Sequence, residues 1–167
     1  MYRVLSGSLL GCALIGAAHA NPFETIEKEA LREVWVNPGM YSYHFDRHDD
    51  LDDTNPGIGV EYRINSRTSL AVGRYHNSVH EMTNYVAAYY QPWKLGPFRL
   101  GAIVGLFDGY PKIRHGAVFP AVLPTASFEY KRVGVNIILL PTVGEKMSGL
   151  ISFQLKFKVS EWDVARP

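Results

Sequence analysis

The chain has little cysteine and, beyond its N-terminus, no long apolar segment. Its 167 residues include one cysteine, Cys12, so an intrachain disulfide framework is excluded. After residue 20 the longest uninterrupted run of Leu, Ile and Val is Ile137 to Leu140, which is far too short for a transmembrane helix. If the protein crosses a membrane it must do so with strands, because only helices and closed barrels satisfy the backbone in lipid.

Neither sign of charge is in excess. Seventeen Lys and Arg residues face 16 Asp and Glu residues, a formal net charge of +1 with no basic block. Nucleic acid is therefore not an expected partner. The chain has no phosphate-binding glycine loop, CxxC pair or GxSxG motif, and no cofactor is predicted.

Two constellations could suggest a metal. His76 and His80 have the spacing of a zinc pair, but only on a helix, and they lie at the end of a predicted strand. The acidic loop 48–53 is rich in oxygen ligands but has Asn55 where the calcium-loop pattern needs glycine. We predict no metal site.

Residues 1–20 have the features of a secretory signal peptide. Arg3 precedes an apolar stretch, which ends at the cleavage motif Ala18-His19-Ala20. Cleavage there would start the mature chain at Asn21 and remove Cys12, which suits an oxidising periplasm. The alternative is a lipoprotein signal ending at Cys12, but apolar sequence continues past that residue to the better cleavage site.

Residues 21–36 have the pattern of an amphipathic helix. Asn21 is a candidate cap and Pro22 suits the first helical position. Phe23, Ile26 and Val34 would fall on one face. The pattern predicts either a helix in the membrane interface or one packed on a soluble core.

From Pro38 onward the apolar period changes from 3.6 to 2. The clearest case is the segment 150–159, where Ile151, Phe153 and Leu155 alternate with polar residues that include Lys156 and Lys158. A polar inner face and an apolar outer face are typical of a transmembrane barrel. Eight segments are predicted as strands: 40–46, 57–64, 68–76, 83–93, 98–108, 121–130, 133–141 and 150–159.

The connections alternate in length along the chain. Short turns are predicted at Asn65-Ser66, Leu95-Gly96-Pro97 and Lys131-Arg132, and longer polar segments separate the other strands. This alternation is the outer-membrane pattern of short periplasmic turns and longer outer loops. The predicted fold is therefore all-β, an eight-stranded antiparallel transmembrane β-barrel over 38–159, preceded by the helix and followed by a polar tail, 160–167.

The segment Pro120-Ala-Val-Leu-Pro124-Thr-Ala-Ser127, followed by a strand ending at Leu140-Pro141, resembles the lipid A palmitoyltransferase (PagP) family of outer-membrane enzymes. The resemblance implies an acyltransferase that moves a palmitoyl chain from a phospholipid to lipid A of lipopolysaccharide. It also implies a monomer in the bacterial outer membrane.

The family's catalytic group is a histidine after the first strand and an Asp-Ser pair after the third. His44 is the matching histidine, with His48 as the alternative, and Asn77-Ser78 matches the Asp-Ser pair. The resemblance thus implies His44, Asn77 and Ser78 as site residues. Asparagine cannot ionise, so this departure puts catalysis in question. His76, His80 and Glu81 lie close in sequence and could substitute for the aspartate.

The resemblance further implies lateral access for a lipid through gaps in the barrel wall. In the family such gaps are opened by prolines, which lack an N–H to donate to the ladder. The matching residues are Pro124 with Pro141, and Pro38 with Pro56. Their other interpretation is that they only mark strand ends.

Two other functions stay open. A non-catalytic outer-membrane barrel of the same ancestry would affect adhesion, permeability or receptor access. A soluble lipocalin-like or sandwich protein would bind its ligand in the periplasm and would place apolar residues inside, opposite to the pattern of 150–159.

Overall fold

The computed structural model describes residues 22–46, 51–142, 144 and 149–162, and these residues are almost entirely strands and their connections. One 3₁₀ turn, Arg114–Gly116, interrupts the strands. The strands are β1 Phe23–Thr25, β2 Ala30–His44, β3 Thr54–Asn65, β4 Thr68–His76, β5 Met82–Leu95, β6 Phe98–Phe107, β7 Phe119–Tyr130, β8 Val133–Leu140 and β9 Leu150–Glu161.

Strands β2 to β9 form a closed antiparallel ring. Each strand pairs with its neighbour in the chain, and β9 pairs back onto β2, with Ser152 opposite Ser42. The all-β fold and its eight-stranded barrel are confirmed. Strand β1 lies outside the ring and pairs with the end of β5.

The wall has a polar inner face and an apolar outer face. Along β9, Ser152, Gln154 and Lys156 are buried, whereas the alternating Phe153 and Leu155 are exposed. The same alternation runs along β3 and β4. Strand residues alternate between the two faces of a sheet, so the period-2 pattern predicted from sequence is the pattern that the barrel displays.

The two ends of the barrel differ. Short turns at Ser66-Arg67, Gly96-Pro97 and Lys131-Arg132 connect strands at one end, here the turn end. The other four connections, β2 to β3, β4 to β5, β6 to β7 and β8 to β9, are longer and leave the strands at the opposite end, here the loop end. Their described residues are 45–46, 51–53, 77–81, 108–118, 141–142, 144 and 149. The predicted alternation of short and long connections is confirmed.

The predicted helix over 21–36 is wrong for the residues that are described. Residues 30–36 belong to β2, in which Glu33 and Trp35 are buried and point inward. The alternation was hidden because the inward positions change from odd to even numbers at a bulge, where Gly39 has φ +107°. Within the described ranges, no helix is long and apolar enough to cross a membrane.

The segment before β2 crosses the turn end of the barrel. The backbone N–H of Glu29 donates to Ser66 Oγ at 2.9 Å, and that of Ile26 donates to the Pro92 carbonyl at 2.8 Å. These bonds place β1 beside the last residues of β5, Trp93 to Leu95, which β4 does not pair with because it reaches only to Tyr90. These hydrogen bonds to other parts of the barrel take the place of the hydrogen bonds within the predicted helix.

The barrel boundaries shift accordingly. It spans Ala30 to Glu161 rather than 38–159, because the first strand begins earlier and β9 includes Ser160 and Glu161. The predicted signal peptide, 1–20, lies outside the described residues, as do residues 163–167 of the predicted tail.

In the half of the barrel nearest the turn end, charged side chains around Trp35 fill the lumen. This indole is 1% exposed and donates to Glu33 at 3.0 Å. The Lys156 ammonium lies 4.9 Å from the ring centroid, a cation–π distance. We name this group the ion cluster: Glu33, Trp35, Glu61, Arg63, Arg99, Glu129, Lys156 and Lys158.

Candidate functional site at the loop end of the barrel

The predicted site histidine is the last residue of β2. His44 points into the barrel and is 3% exposed. Its Nδ1 lies 2.9 Å from the Oδ1 of Asp53, the residue immediately before β3. A carboxylate bonded to one imidazole nitrogen orients the ring and leaves Nε2 to exchange protons, the arrangement of a general base.

A chain of hydrogen bonds runs beside this pair. Ser42 Oγ donates to Asn55 Oδ1 at 2.7 Å and lies 2.8 Å from Ser152 Oγ. Asn55 Nδ2 in turn donates to Ser78 Oγ at 3.3 Å. The predicted serine, Ser78, is therefore brought into a buried polar network that joins β2, β3, β9 and the loop after β4.

Three members of this network were missed by sequence reasoning: Ser42, Asn55 and Ser152. A signal for Ser42 was present, because it lies two residues before His44 and must share its face in a strand. The other two depend on strand register, which the sequence does not reveal. Asp53 was noticed only as part of the acidic loop.

The predicted Asn77 holds the loop in place. It is fully buried, and its Oδ1 accepts from the backbone N–H groups of Val79 and Glu81, both at 3.0 Å. Its Nδ2 donates to Thr83 Oγ1 at 3.0 Å and to the Gly109 carbonyl at 2.7 Å. An aspartate could not donate these two bonds, so the loop geometry itself accounts for an asparagine here.

Of the other histidines considered from the sequence, His48 lies outside the described residues, and His76 is the last residue of β4, where it pairs with Met82. His80 bonds Asp52 across two loops at 3.0 Å, with both side chains about half exposed. Among the described residues, no group of three or more His, Cys, Asp or Glu side chains is placed to hold a metal ion.

Beneath the polar network lies an apolar cavity of about 70 Å³. Aromatic and aliphatic side chains line it, with Ser42, Asn55, Ser78 and Ser152 at its polar edge. Tyr85 reaches into this region because Gly59 and Gly73 leave room: a Cβ at either would lie 2.3 or 2.6 Å from its hydroxyl. The other lining residues are Met40, Tyr75, Tyr89, Ile103, Phe107, Tyr110, Leu123, Ile138, Leu140, Leu150 and Gln154.

The wall beside the cavity is split between β7 and β8. Their pairing runs from Tyr130 to Thr125 and stops there, although β7 continues to Phe119 and β8 to Leu140. A pocket of about 390 Å³ occupies the split and is lined by Pro120, Pro141 and other apolar residues. It shares five residues with the inner cavity: Tyr75, Phe107, Tyr110, Leu123 and Leu140.

The two predicted proline pairs thus have different surroundings. Pro141 lines the split, and Pro124 lies at its lower limit, one residue before the first β7–β8 pair. Pro38 and Pro56 lie at a bulge instead, where β2 and β3 remain paired on both sides, with Asn37 opposite Gly59 and Gly39 opposite Pro56. Pro120, also in the split, was not among the predicted access residues.

No protein-family model matches the sequence, and no curated protein does. Among solved structures, the chain is similar to one described as "Solution NMR structure of de novo designed TMB2.3". The TM-score is 0.51 at 12% sequence identity, over 78% of this chain and 95% of the designed one. This similarity concerns the barrel fold alone.

Proposed function

We propose that the chain is a bacterial outer-membrane protein that is exported with its signal peptide removed. Outward-facing side chains such as Ile58, Val72, Val86 and Val122 are at least half exposed on the barrel wall, whereas the buried inward positions are largely polar. A soluble barrel would bury its apolar face, but lipid favours the reverse. Recovery of the folded protein from the soluble periplasm would contradict this localisation.

Within the membrane, the barrel takes up an acyl chain from a neighbouring lipid. One observation carries this proposal: the split between β7 and β8 opens onto an apolar cavity with which it shares five lining residues. An acyl chain could pass sideways from lipid into that cavity without crossing water. Pro124 and Pro141, which follow Leu123 and Leu140, lack the N–H groups that pairing of β7 with β8 across the split would need.

The polar network above the cavity supports acyl transfer as the reaction, as the resemblance to lipid A palmitoyltransferases implies. His44, oriented by Asp53, would take the proton of an attacking hydroxyl. The ester carbonyl of the donor phospholipid would lie near Ser42 and Ser78, at the polar edge of the cavity. The new ester forms on the lipid A hydroxyl as the donor ester bond breaks, and the lysophospholipid leaves as an alcohol that takes the proton back from His44, so the exchange needs no cofactor.

The test is the lipid A mass spectrum of cells that carry the protein, its His44→Asn variant, or neither. Lipid A should carry an additional palmitoyl mass with the wild-type protein and none with the variant. Heat-modifiable electrophoresis of outer membranes must show both proteins folded. An unmodified lipid A in cells with folded wild-type protein would contradict acyl transfer to lipid A.

A second function, a non-catalytic barrel of the same ancestry, is favoured by Asn77. The Asn77 side chain bonds its own loop, Thr83 and Gly109. The neighbouring Ser78 hydroxyl accepts from Asn55. If the barrel only binds lipid, Ser78→Ala and His44→Asn should leave lipid binding and any cell-surface phenotype unchanged. Loss of an acyl product in either variant would exclude it.

A further inference from the structure

The connection from β6 to β7, residues 108–118, borders the split, and we name it the mouth loop. Ile113 lines the split itself, and Tyr110 lines both the split and the inner cavity. The residues on either side of Ile113 are basic and exposed: Lys112, Arg114 and His115. A lipid that sends a chain into the split from the loop end would therefore bring its headgroup next to these side chains.

Hydrogen bonds within the mouth loop fix its shape. The backbone N–H groups of Ile113 and Gly116 both donate to the Tyr110 carbonyl, at 2.8 and 3.2 Å. At the base of the loop, the Gly109 N–H donates to the Gly116 carbonyl at 3.0 Å. The Gly109 carbonyl accepts from the buried Asn77 at 2.7 Å. The basic side chains are thus carried on a closed turn that is anchored beside the candidate site.

Two of the basic residues have a backbone conformation that residues with side chains rarely adopt. The φ angle is +49° at Arg114 and +57° at His115, and Gly116 follows at +82°. Glycine would occupy the first two positions with less strain. Strained non-glycine residues cluster at binding and active sites, where the surrounding structure compensates for the strain. The exposed guanidinium and imidazole at these positions therefore point to a ligand.

The charge of the mouth loop is not neutralised by its surroundings. Its one carboxylate, Asp108, accepts from the Asn84 backbone N–H at 2.6 Å and from the Asn84 side chain at 3.0 Å. Within the described residues, neither Lys112 nor Arg114 forms an ion pair. Aspartates are concentrated in the connection from β2 to β3, which has five in residues 46–53 and leaves the ring two strands away in either direction. The sign of charge therefore favours an anion beside the split.

We infer that the mouth loop recognises a lipid headgroup of net negative charge, with Lys112 and Arg114 on its phosphate, while an acyl chain of that lipid enters the split. This inference rests on the proposed uptake of an acyl chain and adds the headgroup that is selected. A guanidinium can bind two phosphate oxygens at once, an ammonium supplies a compact charge, and the His115 ring adds an N–H donor. A zwitterionic headgroup carries its own ammonium, which the two cations of the loop would repel.

The test measures binding of two probes to the detergent-solubilised barrel by native mass spectrometry: dipalmitoyl phosphatidylglycerol and dipalmitoyl phosphatidylethanolamine. The wild-type barrel should bind the anionic lipid about fivefold more tightly, because two exposed cations each contribute modestly. The loop variant, Lys112→Gln with Arg114→Gln, should lose this preference. Its affinity for phosphatidylethanolamine should stay within about twofold of the wild-type value. A wild-type barrel without a preference would overturn the inference.

The matched control removes the same two charges from the turn end of β7. Lys131 and Arg132 are exposed and basic, and Lys131 also has a positive φ, +55°. Lys131→Gln with Arg132→Gln should keep the preference for phosphatidylglycerol. An equal loss in the control and the loop variant would show general attraction of anions to the barrel and would overturn a site in the mouth loop.

A third variant distinguishes this inference from the proposed function. Leu123→Trp narrows the passage from the split to the cavity and should weaken binding of both lipids without changing their ratio. If it does so while the loop variant keeps the preference, chain uptake stands and the headgroup site is wrong. If Leu123→Trp binds phosphatidylethanolamine as the wild-type protein does, chain uptake is wrong and the inference fails with it. A loop variant that loses affinity for lipid A but keeps its preference for phosphatidylglycerol would assign the loop to the acceptor and overturn the inference.

Discussion

The Lys156 ammonium lies 2.8 Å from the Glu61 carboxylate inside the barrel, and both side chains are almost completely buried. Lys156 also lies 2.9 Å from Glu129, and Asn136 donates to Glu61 at 3.3 Å. Removing one partner of a buried pair leaves a charge without compensation, which is more costly than never having had the pair.

Lys156→Met should therefore destabilise the barrel by about 3 kcal/mol, and the double variant Lys156→Met with Glu61→Gln should recover part of that loss. The measurement is urea-induced unfolding in lipid vesicles, followed by tryptophan fluorescence. Leu155→Met, at the neighbouring outward position, is the control and should cost less than about 1.5 kcal/mol. Strictly additive effects in the double variant would show that the pair is not coupled.

The ion cluster also predicts that the barrel is not a pore. An eight-stranded barrel has a lumen just wide enough for its own side chains, and here Trp35 and its charged neighbours occupy the turn half. The wild-type protein in a planar bilayer should give no conductance steps, with a general porin as the positive control. Stable single-channel steps would favour the permeability role of a non-catalytic barrel.

The strands were predictable wherever one unbroken alternation ran from turn to turn. Segment 150–159 shows this, because from residue 151 onward each of its faces keeps a single polarity. Strand β2 could not be read the same way, since the bulge at Gly39 inverts its phase and Val34 with Ile26 imitate a helical face. Pro124 and Pro141 were predicted as access residues, and they lie at the limit of the split and in its lining, but the split itself is visible only in the register of β7 on β8.

The candidate site was predictable only in part. His44 and Ser78 were predicted through the family resemblance, but the network around them includes residues distant in sequence, such as Asn55, which donates to Ser78, and Ser152 opposite Ser42. The role of Asn77 could not be read from sequence, because it depends on the Gly109 carbonyl lying 2.7 Å away. Non-local contacts of this kind follow from closure of the barrel.

Asn77→Asp should destabilise the loop rather than restore a catalytic group. The new carboxylate would face the Gly109 carbonyl, which now accepts a hydrogen bond from the amide. The expected cost is about 2 kcal/mol, from a lost bond and an unsatisfied buried acceptor. Unfolding in urea measures it, and lipid A spectra run in parallel measure activity. A stable variant with increased acyl transfer would show that this position has a catalytic role instead.

Ile103 should influence the length of the acyl chain that the cavity accepts. Its side chain is 3% exposed, lines the cavity and lies opposite Tyr89 on the neighbouring strand. Ile103→Ala should shift the preferred chain upward by about one or two methylene groups, because surrounding side chains fill only part of the space left. Mass spectra of bound lipids give the distribution. The control is Val104→Ala on the outward face, and an equal shift in both variants would contradict a role for the cavity.

A second His–Asp pair at the same end of the barrel provides a matched control for the His44–Asp53 pair. His80 and Asp52 lie 3.0 Å apart, much like His44 and Asp53 at 2.9 Å, but they are exposed to solvent. If His44 is the general base, Asp53→Asn should lower the initial rate of acyl transfer by about 10² to 10⁴, because the imidazole loses its orienting carboxylate. Asp52→Asn should leave the rate within about twofold, since an exposed pair of this kind contributes little.

Rates are measured with purified protein, a phospholipid donor and lipid A in mixed micelles, after circular dichroism shows that each variant has the wild-type strand content. Equal rates for Asp53→Asn and the wild-type protein would remove His44 from the chemistry and leave the barrel as a lipid-binding protein.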